Sequence, residues 1–278
     1  MKVVRAEYAG ACYGVQRALD MALEAVEGGG GASTLGPLIH NPQVVDELAA
    51  RGIHAVDGPE DVECGSVIIR SHGVTPAVRR AVEERALPLI DATCPHVARA
   101  QKAAAALAER CGRVIVVGES GHPEVEGLVA CAREAGGEVW VVADPADLPA
   151  NIDAPVGIVV QTTQTREALD AVVAALTSRG IDPEVKNTIC FATRQRQEAA
   201  AALANEVDAI VVIGGRNSSN TTRLADICAA ECARTHHIES PDEIDLAWFA
   251  DCKTVGVTAG ASTPEDQISA VVQRLEVM

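Results

Sequence analysis

Residues 114–124 read Val114-Ile115-Val116-Val117-Gly118-Glu119-Ser120-Gly121-His122-Pro123-Glu124. Four β-branched residues in succession suit a strand buried on both faces. A glycine-punctuated turn follows, with His122-Pro123-Glu124 at a helix start, and further back, after Cys94, Pro95 suits a first helical position. Outward from this stretch, Glu138–Val142 and Gly157–Val160 repeat the apolar run, and 167–179 carries a helical pattern. Further runs at 67–70, Ala209–Ile213 and 254–258 alternate with helical stretches at 101–110 and 197–206. Alternation of this kind predicts an α/β protein with mostly parallel sheets covered by helices. Residues 28–31 mark a flexible turn, and 144–155 form a Pro/Asp-rich connection.

Six strand-to-helix junctions carry polar residues in tight turns, and they fall into three pairs. The first pair is Gly36-Pro37-Leu38-Ile39-His40-Asn41-Pro42 and Arg70-Ser71-His72-Gly73. The second is 118–124 and Gln161-Thr162-Thr163, and the third is Gly214-Gly215-Arg216-Asn217-Ser218-Ser219-Asn220 and Ala259-Gly260-Ala261-Ser262. Residues 40 and 72, 122 and 162, and 218 and 262 anchor the pairs. One cysteine in a turn context, Cys12, Cys94 or Cys190, precedes or opens each third. Three similar α/β units sharing one site account for this spacing.

The 278 residues are 48% hydrophobic, enough for a substantial core in two or three small domains. Behind Met1 no run approaches the roughly 18 apolar residues of a membrane span, so a cytoplasmic protein that is not exported is expected. Nine scattered cysteines suit a reducing compartment better than a disulfide scaffold. A net charge of −16 repels nucleic acid and anionic membranes, and 2% aromatic content supplies no base-stacking platform.

In open α/β sheets ligands bind beyond the carboxyl ends of the strands, where the next helix presents N–H groups and its positive dipole end to an anion. Ser, Thr and Asn at these junctions add donors, although any one of them can serve simply as a helix cap. Six donor-rich junctions, three of them holding His40, His72 and His122, favour an anionic ligand such as a phosphate. His122 and Glu124 place a carboxylate two residues from a histidine at a helix start, a site for a general acid.

Cys12, Cys94 and Cys190 each stand before a helical run, where the helix N-terminus lowers thiol pKa and supports thiolate ligation. Three thiolates would leave one position of a metal centre open to substrate. Cys111, Cys131, Cys228 and Cys232 lie within or at the ends of helices and suit packing, while Cys64 and Cys252 precede strands without an evident role. From the residues alone, two other classes stay open. One is a metal-dependent phosphoesterase built on His40, His72, His122 and Glu124. The other is a non-catalytic phosphometabolite-binding protein whose cysteines only pack.

The ordered segments Cys12-Tyr13-Gly14-Val15-Gln16-Arg17-Ala18, Ser71-His72-Gly73-Val74, Asp91-Ala92-Thr93-Cys94-Pro95 and Gly121-His122-Pro123-Glu124-Val125-Glu126-Gly127 resemble the LytB family of 4-hydroxy-3-methylbut-2-enyl diphosphate reductases. The likeness continues through Gln161-Thr162-Thr163, Cys190-Phe191-Ala192-Thr193-Arg194-Gln195-Arg196-Gln197-Glu198-Ala199, Asn217-Ser218-Ser219-Asn220 and Val257-Thr258-Ala259-Gly260-Ala261-Ser262. Arg194-Gln195 departs from a more usual small-polar pair, and His40 lies in a looser motif.

The resemblance implies a trefoil of three α/β units around a central [4Fe–4S] cluster, one per chain, held by Cys12, Cys94 and Cys190 with one iron open. The units would span 13–94, 95–189 and 190–278, with 1–12 contributing an N-terminal strand and the first cysteine. It further implies reductive dehydroxylation of the allylic diphosphate to isopentenyl and dimethylallyl diphosphate, the last step of the non-mevalonate pathway. Glu124 is then the proton donor, assisted by Thr162 and His122. His40, His72, His122, Thr162, Ser218, Ser219, Asn220 and Ser262 bind substrate, and a reduced ferredoxin or flavodoxin supplies electrons.

Overall fold

The computed structural model describes residues 1–27, 29–63 and 65–277. Gly28 of the 28–31 turn, Cys64, and Met278 at the end of the third expected unit lie outside the described residues. The chain divides into two compact units. One comprises Met1–Gln16, Ile39–Val44 and Phe191–Met278, and the other Arg17–Leu38 and Val45–Cys190.

Three four-stranded parallel sheets with flanking helices give the α/β class. The first sheet holds β2 (Ala32–Leu35), β3 (Ile53–Val56), β4 (Ser66–Ile69) and β5 (Leu89–Asp91) in the order β3-β2-β4-β5. The second holds β6 (Arg113–Val117), β7 (Glu138–Val142), β8 (Gly157–Val160) and β9 (Glu184–Lys186) in the order β7-β6-β8-β9. The third holds β10 (Ala209–Ile213), β11 (Thr235–Ile238) and β12 (Thr254–Ala259), and the N-terminal β1 (Lys2–Arg5) pairs beside β12 in the place that β5 and β9 take in the others. All three sheets therefore share one strand order, and the chain ends interrupt only the third.

The helices recur in step. After the first strand of each sheet come α2 (Pro42–Ala50), α5 (Pro123–Glu134) and α8 (Ser219–Glu231), and after the third strand come α3 (Pro76–Glu84), α6 (Arg166–Ser178) and α9 (Glu265–Glu276). Following the three cysteines come α1 (Tyr13–Glu24), α4 (Pro95–Cys111) and α7 (Phe191–Ala204). Short 3₁₀ turns at Pro59–Asp61, Pro145–Asp147 and Pro241–Glu243 follow the edge strands in all three.

Parallel strands covered on both faces need near-continuous apolar runs. In the third sheet Ala209, Val211 and Ile213 pack with Ile268, Val271 and Leu275 of α9, whereas Ile210 and Val212 pack on the opposite face with Ala200, Leu203, Leu224 and Cys228. The second sheet divides likewise, Val114 and Val116 meeting α4 and α5 while Ile115 and Val117 meet α6. Each fully buried Val or Ile side chain here contributes about 1.5–3 kcal/mol. Such residues point to alternate faces, so a one-residue register slip would exchange both cores.

The backbone at the strand ends repeats as well. Gly36, Gly118 and Gly214 follow the central strands and donate to Val56, Val142 and Ile238 at 2.7, 3.1 and 2.9 Å. Glycine is required at the third position, where Gly214 has φ +139° and an added Cβ would lie 2.6 Å from Thr263 Oγ1. Beyond β4, β8 and β12, the N–H groups of Gly73, Gln164 and Thr263 close the same turn onto Arg70, Gln161 and Gly260 at 2.9, 3.0 and 3.1 Å.

Candidate active site

The same frame seats all three candidate ligand cysteines. Cys94 N–H donates to Ser71 O at 3.0 Å, Cys190 N–H to Thr162 O at 3.0 Å and Cys12 N–H to Ala261 O at 3.0 Å. Each acceptor lies two residues beyond the end of its strand, β4, β8 or β12. Each cysteine immediately precedes a helix, and each is partly buried. All eight described cysteines are thiols. Burial pushes the Cys228 thiol up to about 12 and raises Cys111 and Cys131, so thiolates are disfavoured at those three packing positions. Cys252, before β12, lies 3.3 Å from a guanidinium nitrogen of Arg234.

In the unit containing the second sheet, Glu124 and Thr162 form one constellation. Glu124 is the second residue of α5 and is only 1% exposed. Its carboxylate accepts the Thr162 N–H at 2.6 Å and the Thr162 hydroxyl at 2.8 Å. Those bonds favour the charged form, yet burial outweighs them and raises the Glu124 pKa from 4.5 to about 7. Thr165, rather than Thr162 or Thr163, caps α6, which leaves the Thr162 hydroxyl to the carboxylate.

His122 caps α5, its Nδ1 accepting the Glu124 N–H at 3.1 Å. In the neutral ring the proton then sits on Nε2, a donor suited to a phosphate oxygen. The His72 ring meets that of His122 edge to face, with centroids 5.6 Å apart. Two donor-bearing imidazoles and a protonatable carboxyl are therefore gathered at neighbouring strand ends.

The unit containing the third sheet gathers Cys12, His40, Ser218, Ser219, Asn220 and Ser262. Ser218 caps α8, its hydroxyl accepting the Thr221 N–H at 3.4 Å. Ser262 does not cap α9; its hydroxyl donates to His40 O at 2.9 Å and ties two junctions together. Asn220 is 4% exposed, and neither its amide oxygen nor its amide nitrogen has a hydrogen-bond partner. The buried hydroxyl oxygens of Thr221 and Thr258 share that condition. Orphaned buried polar atoms are costly unless a water or a ligand supplies the missing partner.

Several positioning residues escape a reading from sequence. Asn41 caps α2 through Val44 N–H at 3.2 Å and donates to Ser262 O and Gln267 Oε1, both at 3.0 Å. Gln161, fully buried, accepts Glu119 N–H at 3.0 Å and donates to Thr163 Oγ1 at 3.1 Å, fixing the Glu124 junction to the Thr162 junction. Both lie within the quoted motifs, but a buried amide and an exposed turn amide look alike in sequence.

The LytB protein family profile matches residues 3–276. A 4-hydroxy-3-methylbut-2-enyl diphosphate reductase of Citrifermentans bemidjiense is 47% identical over 282 residues, covering 100% of this chain and 98% of that protein. The chain belongs to the LytB family. Another LytB relative with the same name, from Geobacter sulfurreducens, is 47% identical over 99% of this chain and 97% of its own length. Among solved structures, one described as the (E)-4-hydroxy-3-methyl-but-2-enyl diphosphate reductase, the terminal enzyme of the non-mevalonate pathway, matches all of both chains with TM-score 0.73 and 41% identity. The fold is shared also with the Plasmodium falciparum E-1-hydroxy-2-methyl-but-2-enyl-4-diphosphate reductase, at TM-score 0.89 and 24% identity over 98% of this chain and 87% of that one. Among the described residues of this LytB protein, no helix is long and apolar enough to cross a membrane.

Proposed function

We propose that this chain is a 4-hydroxy-3-methylbut-2-enyl diphosphate reductase that forms isopentenyl and dimethylallyl diphosphate, the last step of the non-mevalonate pathway. The names of its full-length relatives support the reading. The observation that carries it is the buried Glu124 carboxyl, with its pKa raised to about 7 and held by Thr162 beside His122. Removing an allylic hydroxyl reductively consumes two electrons and two protons and releases water. An acid that is protonated near neutrality and shielded from solvent is the group this bond cleavage needs.

The residues present fit a [4Fe–4S] cluster, one per chain. Cys12, Cys94 and Cys190 are soft thiol donors at helix starts, each with its N–H already bonded to a strand-end carbonyl. Bound there, such a cluster supplies electrons one at a time and Lewis acidity at its open iron. Glu124 delivers the proton to the departing oxygen, and the Thr162 hydroxyl orients the carboxyl and the substrate oxygen. His40, His72, His122, Ser218, Ser219, Asn220 and Ser262 bind the diphosphate, and the orphaned amide of Asn220 gains its partners from it. His122 serves both diphosphate binding and the proton path through Nε2.

The reading extends to a trefoil of three units, 13–94, 95–189 and 190–278, with 1–12 completing the third. It also places the enzyme in the cytoplasm, with reduced ferredoxin or flavodoxin as electron donor. Anaerobic incubation of cluster-reconstituted protein with substrate and dithionite, followed by mass spectrometry, tests the proposal. Both five-carbon diphosphates are expected. Release of inorganic phosphate with the alcohol intact would instead indicate a phosphoesterase.

A further inference from the structure

Two arginines outside the reacting groups make the same kind of connection. Arg196 in α7 lies six residues after Cys190, and its Nη2 donates to Gly10 O at 2.7 Å, two residues before Cys12. Its Nη1 donates to Ala192 O in its own helix at 3.1 Å. Arg17 in α1 lies five residues after Cys12, and it donates through Nη1 to Thr93 O at 3.2 Å and through Nη2 to Asp91 O at 3.4 Å, directly before Cys94. Each guanidinium thus leaves a helix that follows one candidate ligand cysteine and grips the loop that presents another.

Those loops are already constrained on their other side. Gly10 N–H donates to Ala259 O at 3.3 Å, and Cys12 N–H holds Ala261 O. Gly10 has φ +102°, and a Cβ there would lie 2.7 Å from Ile268 Cδ1, so the turn favours glycine. In the Cys94 loop, Asp91 Oδ1 accepts the Thr93 N–H at 3.0 Å and the Asp91 carboxylate also pairs with Arg79. The Cys190 loop is held differently, by Thr188, whose hydroxyl accepts the Val160 N–H at 2.9 Å and donates to Val160 O.

Arg196 is 5% exposed and is the single buried Lys or Arg among the described residues. Arg17 is partly exposed. Burying a guanidinium opposes stability unless its donors and charge are used. Three thiolates around a cluster carry negative charge that grows on reduction, and a fixed cation in a low-dielectric setting stabilises the reduced state. We propose that Arg17 and Arg196 are positioning residues that fix the Cys94 and Cys12 loops for cluster binding, and that Arg196 also raises the cluster's reduction potential. The proposal rests on the cluster reading above.

The test uses reconstituted full-length protein and the variants Arg196→Gln, Arg196→Lys and Arg17→Gln, with Arg166→Gln as a control at an exposed pair with Asp170. Iron loss to a fixed chelator and the midpoint potential from an EPR-monitored titration are the readouts. Arg196→Gln and Arg17→Gln are expected to lose iron about tenfold faster, the scale of outer-shell changes at metal sites. Arg196→Gln also shifts the potential negative. Arg196→Lys keeps the potential but loses iron faster, because lysine cannot span both Gly10 O and Ala192 O. Should Arg196→Gln fail to fold, Arg196→Met takes its place. Wild-type iron retention in the folded neutral variants, or an unshifted potential on neutralising Arg196, would overturn the proposal and leave the cluster reading intact. Wild-type protein unable to hold iron and sulfide would overturn both.

Discussion

Glu124 and Thr162 meet twice, the carboxylate accepting the threonine N–H at 2.6 Å and its hydroxyl at 2.8 Å, with both residues buried. Two such bonds ordinarily hold a carboxylate ionised. Here desolvation wins and raises the pKa to about 7, with a smaller contribution from the Glu119 charge. The pair therefore keeps a proton at the pH where a solvent-exposed glutamate has lost it.

Glu124→Gln preserves shape while removing the transferable proton. Turnover is expected to fall by about 10²–10⁴, the usual contribution of a positioned acid. Cluster content and substrate affinity stay near those of the unmodified protein. In the parent enzyme turnover declines as pH rises through about 7. Near-normal turnover in the variant would remove Glu124 from the mechanism.

The same residue sets a pH dependence of stability. Because the folded-state pKa lies above the unfolded value of 4.5, the native state binds the extra proton between pH 4.5 and about 7. Stability contributed by this group is complete below pH 4.5 and is lost as pH rises through 7, on the order of 3 kcal/mol. Glu124→Gln should abolish that fall, so its urea midpoint relative to wild type improves from pH 5 to pH 8. An identical pH slope in both proteins would show that the carboxyl is not destabilised by burial.

Thr162→Val keeps the backbone N–H bond and the side-chain volume but removes the hydroxyl. The Thr162 hydroxyl lowers the Glu124 pKa, so its loss moves the alkaline limb of the pH–turnover profile upward. Maximal turnover decreases with it. A profile unmoved in pH would mean that the hydroxyl bond is absent in the working enzyme.

Cysteine substitutions should divide into two groups. Cys94→Ser, at the helix start bonded to Ser71, abolishes or destabilises cluster binding, whereas Cys228→Ala, in the core between α7 and α8, leaves iron content unchanged and costs about 1 kcal/mol. Iron and sulfide analysis beside thermal unfolding distinguishes them. A stable, active cluster in Cys94→Ser would contradict the ligand assignment.

Asn220 offers a measure of how far the site is prepared for its ligand. Its amide is buried without hydrogen-bond partners, so Asn220→Ala removes an unsatisfied group and should leave apo stability within about 1 kcal/mol. Diphosphate affinity, measured by calorimetry with inorganic pyrophosphate, is expected to fall at least tenfold. A large stability loss with unchanged affinity would assign Asn220 to packing.

The apolar cores of this fold are legible in the sequence. Runs such as Ala209–Ile213 and Gly157–Val160 are continuous because both faces are covered, and their bounds are as expected. Helix starts are legible where a proline or a turn cysteine marks them, as at Pro95 and Pro123, but not from the apolar period. The apolar pattern places helices at 101–110 and 197–206, whereas α4 begins at Pro95 and α7 at Phe191. Their first turns bury little apolar surface, Val97 in α4 and no apolar residue in α7, so no apolar period announces them. The three-residue strands β5 and β9 and the polar β2 give equally little signal, their pairing being decided by neighbours distant in sequence.

For the site, Glu124, His122 and Thr162 are visible as chemistry-bearing residues at strand ends. Hydrogen-bond direction is not. Sequence allows a helix-capping role for Thr162 and Ser262, and the structure gives one to neither, while Ser218 does cap its helix. Arg17 and Arg196 stand inside recognisable motifs, but their grip on Thr93 and Gly10 depends on contacts across 76 and 186 residues.

The most direct measurement of the central claim is anaerobic oxidation of reduced methyl viologen by cluster-reconstituted protein on addition of 4-hydroxy-3-methylbut-2-enyl diphosphate. Substrate-dependent bleaching, with two viologens oxidised per five-carbon diphosphate formed, is the predicted result. Absence of bleaching by protein shown to hold iron and sulfide would contradict the assigned reaction.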